Sequence, residues 1–164
     1  MISYKKGFFG LLAAVALCSC EKDDICTQDT PTTPNIVIEF YDANNNLVVP
    51  NQLALLPEGY DTAIGFNASK IILPLQINAE STTYQFILNG ADEDASNDNI
   101  DTVNFSYTTD HVFISKACGF KAVFNLLDNS PSLDVNDGNT WIQNIEVIKQ
   151  TIDNETETHV KIFI

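Results

Sequence analysis

Reactive side chains are few in this sequence of 164 residues, and most of them are carboxylates. They are densest in ADEDASNDNID, Ala91 to Asp101. Asp92, Asp94, Asp98 and Asp101 offer hard oxygen donors of the type that holds Ca2+. Read as a calcium loop from Asp92, the stretch has Asn97 where the sharp turn needs glycine. It has Val103 where the bidentate carboxylate belongs. Calcium is therefore the one cofactor the segment suggests, and a solvated acidic loop accounts for the same letters. DVNDGN, Asp134 to Asn139, is a second and smaller cluster.

His111 and His159 are the only histidines, each at the head of a strand-like run. One histidine per strand is the pattern of a packing or surface residue rather than a catalytic base. No G-x-S-x-G, C-x-x-C, H-E-x-x-H or phosphate-cradling glycine loop is present. Triads assemble in space, so a Ser–His–Asp group is not excluded by spacing. Cys118 beside a histidine would be another nucleophile. Nothing supports either, and no catalytic residue is expected.

The four cysteines say more. Lys5 and Lys6 precede an apolar run, GFFGLLAAVAL, from Gly7 to Leu17. A membrane-spanning helix needs about 20 residues, so this run fits the core of a secretory signal peptide instead. Leu17-Cys18-Ser19-Cys20 resembles the bacterial lipobox, an aliphatic residue and two small ones before the cysteine that is lipidated. Residues 1–19 are then a cleaved lipoprotein signal peptide and Cys20 is the lipid anchor. An ordinary signal peptide with an incidental cysteine pair is the other reading. Cys18 leaves with the leader in the first case, and Cys26 and Cys118 remain in an oxidising compartment. An even pair allows one disulfide, against the alternative of two free thiols. A bridge closing roughly 90 residues is worth about 4–5 kcal/mol of chain entropy.

Residues 20–34 are polar and rich in Thr and Pro, which reads as an anchor and linker. If Cys26 is tied to the domain, only Glu21 to Ile25 stay free, a reach of about 17 Å at most. Two of the eight lysines lie in the leader, and all 22 acidic residues follow Cys20. Six lysines against 22 acids leave a net charge of −16, and there is no arginine. Such a surface repels nucleic acid and resists close approach to anionic lipid. It also keeps an exported protein soluble.

These residues must be positioned by strands. Period-2 alternation runs through most of residues 35–164. Ile36, Ile38 and Phe40 share a face, as do Ile71, Leu73 and Leu75, with Pro74 arguing for an edge strand or a bulge. Tyr84, Phe86 and Leu88 alternate inward, then Val103, Phe105 and Tyr107, then Phe120, Ala122, Phe124 and Leu126. Asp42 to Asn46 reads as a turn. TWIQNIEVIKQTI has helical spacing at Trp141, Ile145, Ile148 and Ile152, but its β-branched residues favour strand. DNETET then reads as a hairpin loop into HVKIFI. The expectation is an all-β, single-domain antiparallel β-sandwich of about 8–10 short strands.

CEKDDIC, LPL at residues 73–75, ACGFKAVF at residues 117–124 and the closing HVKIFI resemble an uncharacterised lipoprotein family of Bacteroidota, especially flavobacteria. The resemblance implies a place in the envelope and a fold, not a reaction. EKDD after Cys20 is similar to the surface-export signal of lipoproteins in that phylum, and a charged linker has the same letters. Asp61-Thr62-Ala63 and Asp101-Thr102-Val103 match its O-glycosylation tripeptide, making Thr62 and Thr102 candidate acceptors. The expected protein is thus lipid-anchored in the outer membrane, on its periplasmic or external face. Its expected role is structural or protein-binding, with an envelope protein or glycan as partner. The alternative is a surface module for glycan or Ca2+.

Overall fold

The computed structural model describes residues 25–135 and 139–164. The leader, the lipobox with Cys20, and part of the second acidic cluster lie outside the described residues.

Eleven strands and no α-helix form among the described residues, in two sheets. The strands are β1 (Ile36–Tyr41), β2 (Leu53–Pro57), β3 (Ile64–Phe66), β4 (Lys70–Leu73), β5 (Ser81–Leu88) and β6 (Asn99–Ser115). There follow β7 (Gly119–Leu126), β8 (Ser132–Val135), β9 (Asn144–Val147), β10 (Thr151–Ile152) and β11 (Val160–Phe163). The smaller sheet has the order β4-β1-β11-β9. The larger runs β10-β7-β6-β5-β2-β3, and β8 adds to β6. This is the expected β-sandwich, with one departure from antiparallel pairing. β1 and β11 run parallel, in the register Ile38 to Val160.

Two compact units divide the described residues: 25–31 with 113–120, and 32–112 with the remainder of the chain. The larger unit holds the core. Ile36, Ile38 and Phe40 of β1 are fully buried, and Phe40 meets Phe86 of β5 edge to face at 6.5 Å. Tyr84 packs on Phe105 and Tyr107 on Phe124 in the same manner. Burying such rings is the main favourable term in folding.

Tyrosine hydroxyls close one end of this core. Tyr107 donates to Gln76 O at 2.8 Å and shares a 2.6 Å hydrogen bond with Thr82, which accepts from Gln76 N. Tyr84 donates to Pro74 O at 2.6 Å. Burial, with smaller contributions from Tyr107 and Tyr60, pushes the Tyr84 phenol up to about 12, so it stays a donor. β4 stops at Leu73, before Pro74, and is an edge strand as its proline demands.

The segment with ambiguous periodicity is extended. It crosses between sheets, giving β9 to the smaller and β10 to the larger. DNETET is accordingly not a hairpin loop, because β11 pairs with β9 and β1 rather than with β10. Phe120 is a second correction. It shares the parity of Ala122, Phe124 and Leu126, but it is 65% exposed, in the smaller unit. The turn at Asp42 forms as expected. Asp42 Oδ1 accepts from Asn44 N and Asn46 N, and Asn45 takes φ +62°.

In the smaller unit, Cys26 and Cys118 form a disulfide. Cys118 N donates to Ser115 Oγ, Thr30 Oγ1 lies 3.6 Å from Cys118 Sγ, and Gly119 takes the positive φ that the turn requires.

Candidate functional site

The residues able to do chemistry are mostly occupied in holding the chain. Asp101 lies in β6, in phase with Val103, Phe105 and Tyr107, so its side chain is directed inward and is fully buried. Oδ2 accepts from Trp141 N at 3.0 Å and from Ile142 N at 2.8 Å. These main-chain groups precede β9, and without the carboxylate they would be buried donors lacking a partner. The Trp141 indole donates to Phe86 O at 3.2 Å and secures the same segment. Asp101 Oδ1 is buried with no hydrogen-bond partner in the protein.

His159 is also fully buried, more deeply than a surface or half-buried packing residue. Its Nδ1 accepts from Val37 N at 3.0 Å while the His159 main-chain N–H donates to Val37 O at 3.0 Å. The ring thus extends the ladder joining β1 to the start of β11. An accepting Nδ1 fixes the neutral tautomer with the proton on Nε2, which is buried and unpartnered. Desolvation, then the nearby Lys149 charge, lowers the His159 pKa below 6.5. Asp153, Glu157 and Glu155 act in the opposite direction. His111, by contrast, is exposed.

The four carboxylates suggested for calcium do not come together as a metal set. Among the described residues, no three His, Cys, Asp or Glu side chains are arranged to hold a metal ion. Asp92 Oδ1 accepts from Asp94 N, and Asp94 Oδ1 accepts from Ser96 N and Ser96 Oγ. Asp94 caps the 3-10 turn Ala95–Asn97, and Asp92 braces it. Asp98 Oδ1 is buried and unpartnered, and Asp101 is committed to the core.

A shallow depression lies on the outer face of the larger sheet. It has a volume of about 300 Å3 and is bordered by Glu58, Tyr60, Thr83, Gln85 and Thr102. Parity builds its floor: Tyr84 and Phe86 point inward, so Thr83 and Gln85 face out, opposite Asn104 and Thr102 of β6. Asn104 donates to Thr83 Oγ1, and Ser106 Oγ donates to Asn104 Oδ1. Tyr60 stands at the rim because Tyr60 N returns to Pro57 O at 3.2 Å across Gly59, whose φ is +84°. Its ring is 67% exposed. A glycan platform made by Trp141 with Tyr60 is not present, since Trp141 is buried.

Of the two candidate glycosylation residues, Thr62 is exposed ahead of β3. Thr102 is half-buried within β6, paired with Gln85 on one side and Asp134 on the other. No candidate membrane-spanning helix occurs among the described residues.

The sequence reading missed the structural role of Asp101. Its signal was phase: Asp101 sits two residues before Val103 on the inward parity. The pairing of His159 with Val37 left no local signal. Residues 51–164 match the model of a family described as a family of unknown function, DUF6452. No curated protein and no solved structure matches the chain.

Proposed function

The chain belongs to the DUF6452 family of unknown function, and we propose that it is a lipid-anchored outer-membrane protein whose β-sandwich works without catalysis, as a structural or protein-binding domain of the envelope. The observation that carries the non-catalytic reading is the engagement of its reactive groups. Cys26 and Cys118 are bonded to each other, His159 completes a strand ladder, and Asp101 holds two backbone amides. A general base needs access to a substrate proton, and neither buried group has it. The lipobox at Leu17 to Cys20 supports the anchor, and a disulfide suits an exported chain. The charge of −16 after Cys20 argues against a nucleic-acid partner. The polar face around Thr83, Gln85, Thr102 and Asn104, with Glu58 and Asp134 at its edges, is the part of the sandwich we assign to protein contact.

Separation of membranes on a density gradient tests the placement. The native chain should band with the outer membrane, and Cys20→Ser should move it to the soluble envelope fraction. A native chain found in the cytoplasmic fraction would refute the reading. Protease treatment of intact cells then assigns the face: release means the domain points outward, protection means it points into the periplasm.

A further inference from the structure

The smaller unit keeps three large apolar side chains in water. Phe113 is 57% exposed, Phe120 65% and Ile25 76%. Phe113 at the end of β6 and Phe120 at the start of β7 meet edge to face, with ring centres 5.3 Å apart. Between them in sequence lies the turn carrying Lys116 and Cys118. Cys118 is bonded to Cys26, the neighbour of Ile25. Folding alone gives no reason to leave two phenyl rings exposed at a turn, and clustered apolar surface marks a contact.

We propose that this tip is a second membrane contact, in which Phe113, Phe120 and Ile25 enter the acyl boundary of the bilayer that holds the Cys20 lipid. The inference rests on the anchor reading above and deepens it. Five residues, Glu21 to Ile25, separate the lipid-bearing position from Cys26, a reach of at most about 17 Å. The disulfide passes that constraint directly to Cys118 and the turn between the phenylalanines. Insertion of the tip is then an intramolecular event at high effective concentration. Phenyl rings carry no polar tip and suit the acyl boundary. Lys116 is exposed beside them, with an apolar stem and a charge able to reach the headgroups. Asp23, Asp24 and Asp29 lie nearby in sequence, so zwitterionic lipid is favoured over anionic lipid.

The test uses the full acylated chain in phosphatidylcholine vesicles, carrying Phe113→Trp or Phe120→Trp. Trp141 is buried and supplies a constant background in the unsubstituted chain. With brominated acyl chains in the vesicles, the added tryptophan should lose about half its emission or more, because the boundary lies about 5–10 Å deep. It should also be shielded from aqueous iodide. Flotation with the vesicles and the mass of the N-terminal peptide report the anchor separately. A chain that floats, with its new tryptophan open to iodide and untouched by brominated lipid, overturns the tip and leaves the anchor standing. A chain without acyl groups that fails to float overturns both. Shielding from iodide without quenching by brominated lipid means a protein covers the tip, and also overturns the proposal. Phe113→Ser with Phe120→Ser should still float, while Lys116 becomes open to amine labelling on vesicles as it is in detergent-free buffer; unchanged labelling between the two chains would count against insertion.

Discussion

Asp92 and Asp94 stand within ten residues of Asp101, yet the two regions use the same side chain in opposite ways. The first two are at the surface, where they close a short turn around Ser96 and Asn97. Asp101 has no exposure and satisfies the amides of Trp141 and Ile142. Composition does not distinguish them. Strand phase does, because β6 begins at Asn99 and turns every second residue inward from Asp101 to Tyr107. Acid-rich stretches are commonly read as ligand sites, and here the one fully buried acid among the described residues serves the chain that must reach the second sheet.

The strongest way to break this contrast is Asp101→Ala. It strands two buried amides, and urea denaturation should show a loss of about 2–6 kcal/mol, at 1–3 kcal/mol per unsatisfied donor. Asp101→Asn keeps an acceptor and should lose clearly less. Equal losses for both would show that charge, not the two hydrogen bonds, is what matters.

His159 sharpens the comparison as a buried polar group that titrates. Its folded pKa lies below the unfolded 6.5. The unfolded chain therefore binds the proton first, and the stability due to neutral His159 is complete above pH 6.5. It falls as pH drops from 6.5 through the lower folded value. His159→Asn keeps an acceptor near Val37 N and removes the titration. Its denaturation midpoint should be flat over that interval, where the native chain declines. Parallel declines would assign the effect to another group.

At the surface the expected effects shrink. Asp92→Ala with Asp94→Ala removes the exposed cap of one short turn and should cost about 1 kcal/mol or less, well below the loss at Asp101. Addition of millimolar Ca2+ should shift neither chain. A calcium-dependent rise in the native chain alone would restore the acidic loop as a site. Smallest of all is Lys149→Gln. Lys149 pairs with Asp153 at 2.9 Å and with Glu157, all at the surface, where ion pairs contribute little. Stability should hold, but the His159 pKa should move up toward 6.5 in an NMR titration, because the Lys149 charge helps to lower it.

The strands were legible because one face of each is buried. Ile36, Ile38 and Phe40, or Ile71, Leu73 and Leu75, spell their phase directly. The pairing of Cys26 with Cys118 followed from an even count of cysteines. Sheet order was not legible. The parallel contact of β1 with β11 joins chain ends whose pairing leaves no trace in either strand alone. Phe120 misled for a different reason: alternation tells which side of a strand a residue occupies, not how far the core extends beneath it. The depression beside Tyr60 was not legible, because its polar floor depends on the register of β5 against β6.

The most direct measurement is the intact mass of the native protein before and after reduction. The expected result is a chain that begins at Cys20, carries acyl groups on that residue, and takes up two hydrogens when the Cys26–Cys118 bond is reduced. A chain that begins elsewhere, or bears no lipid, would contradict the envelope anchor on which the proposed function stands.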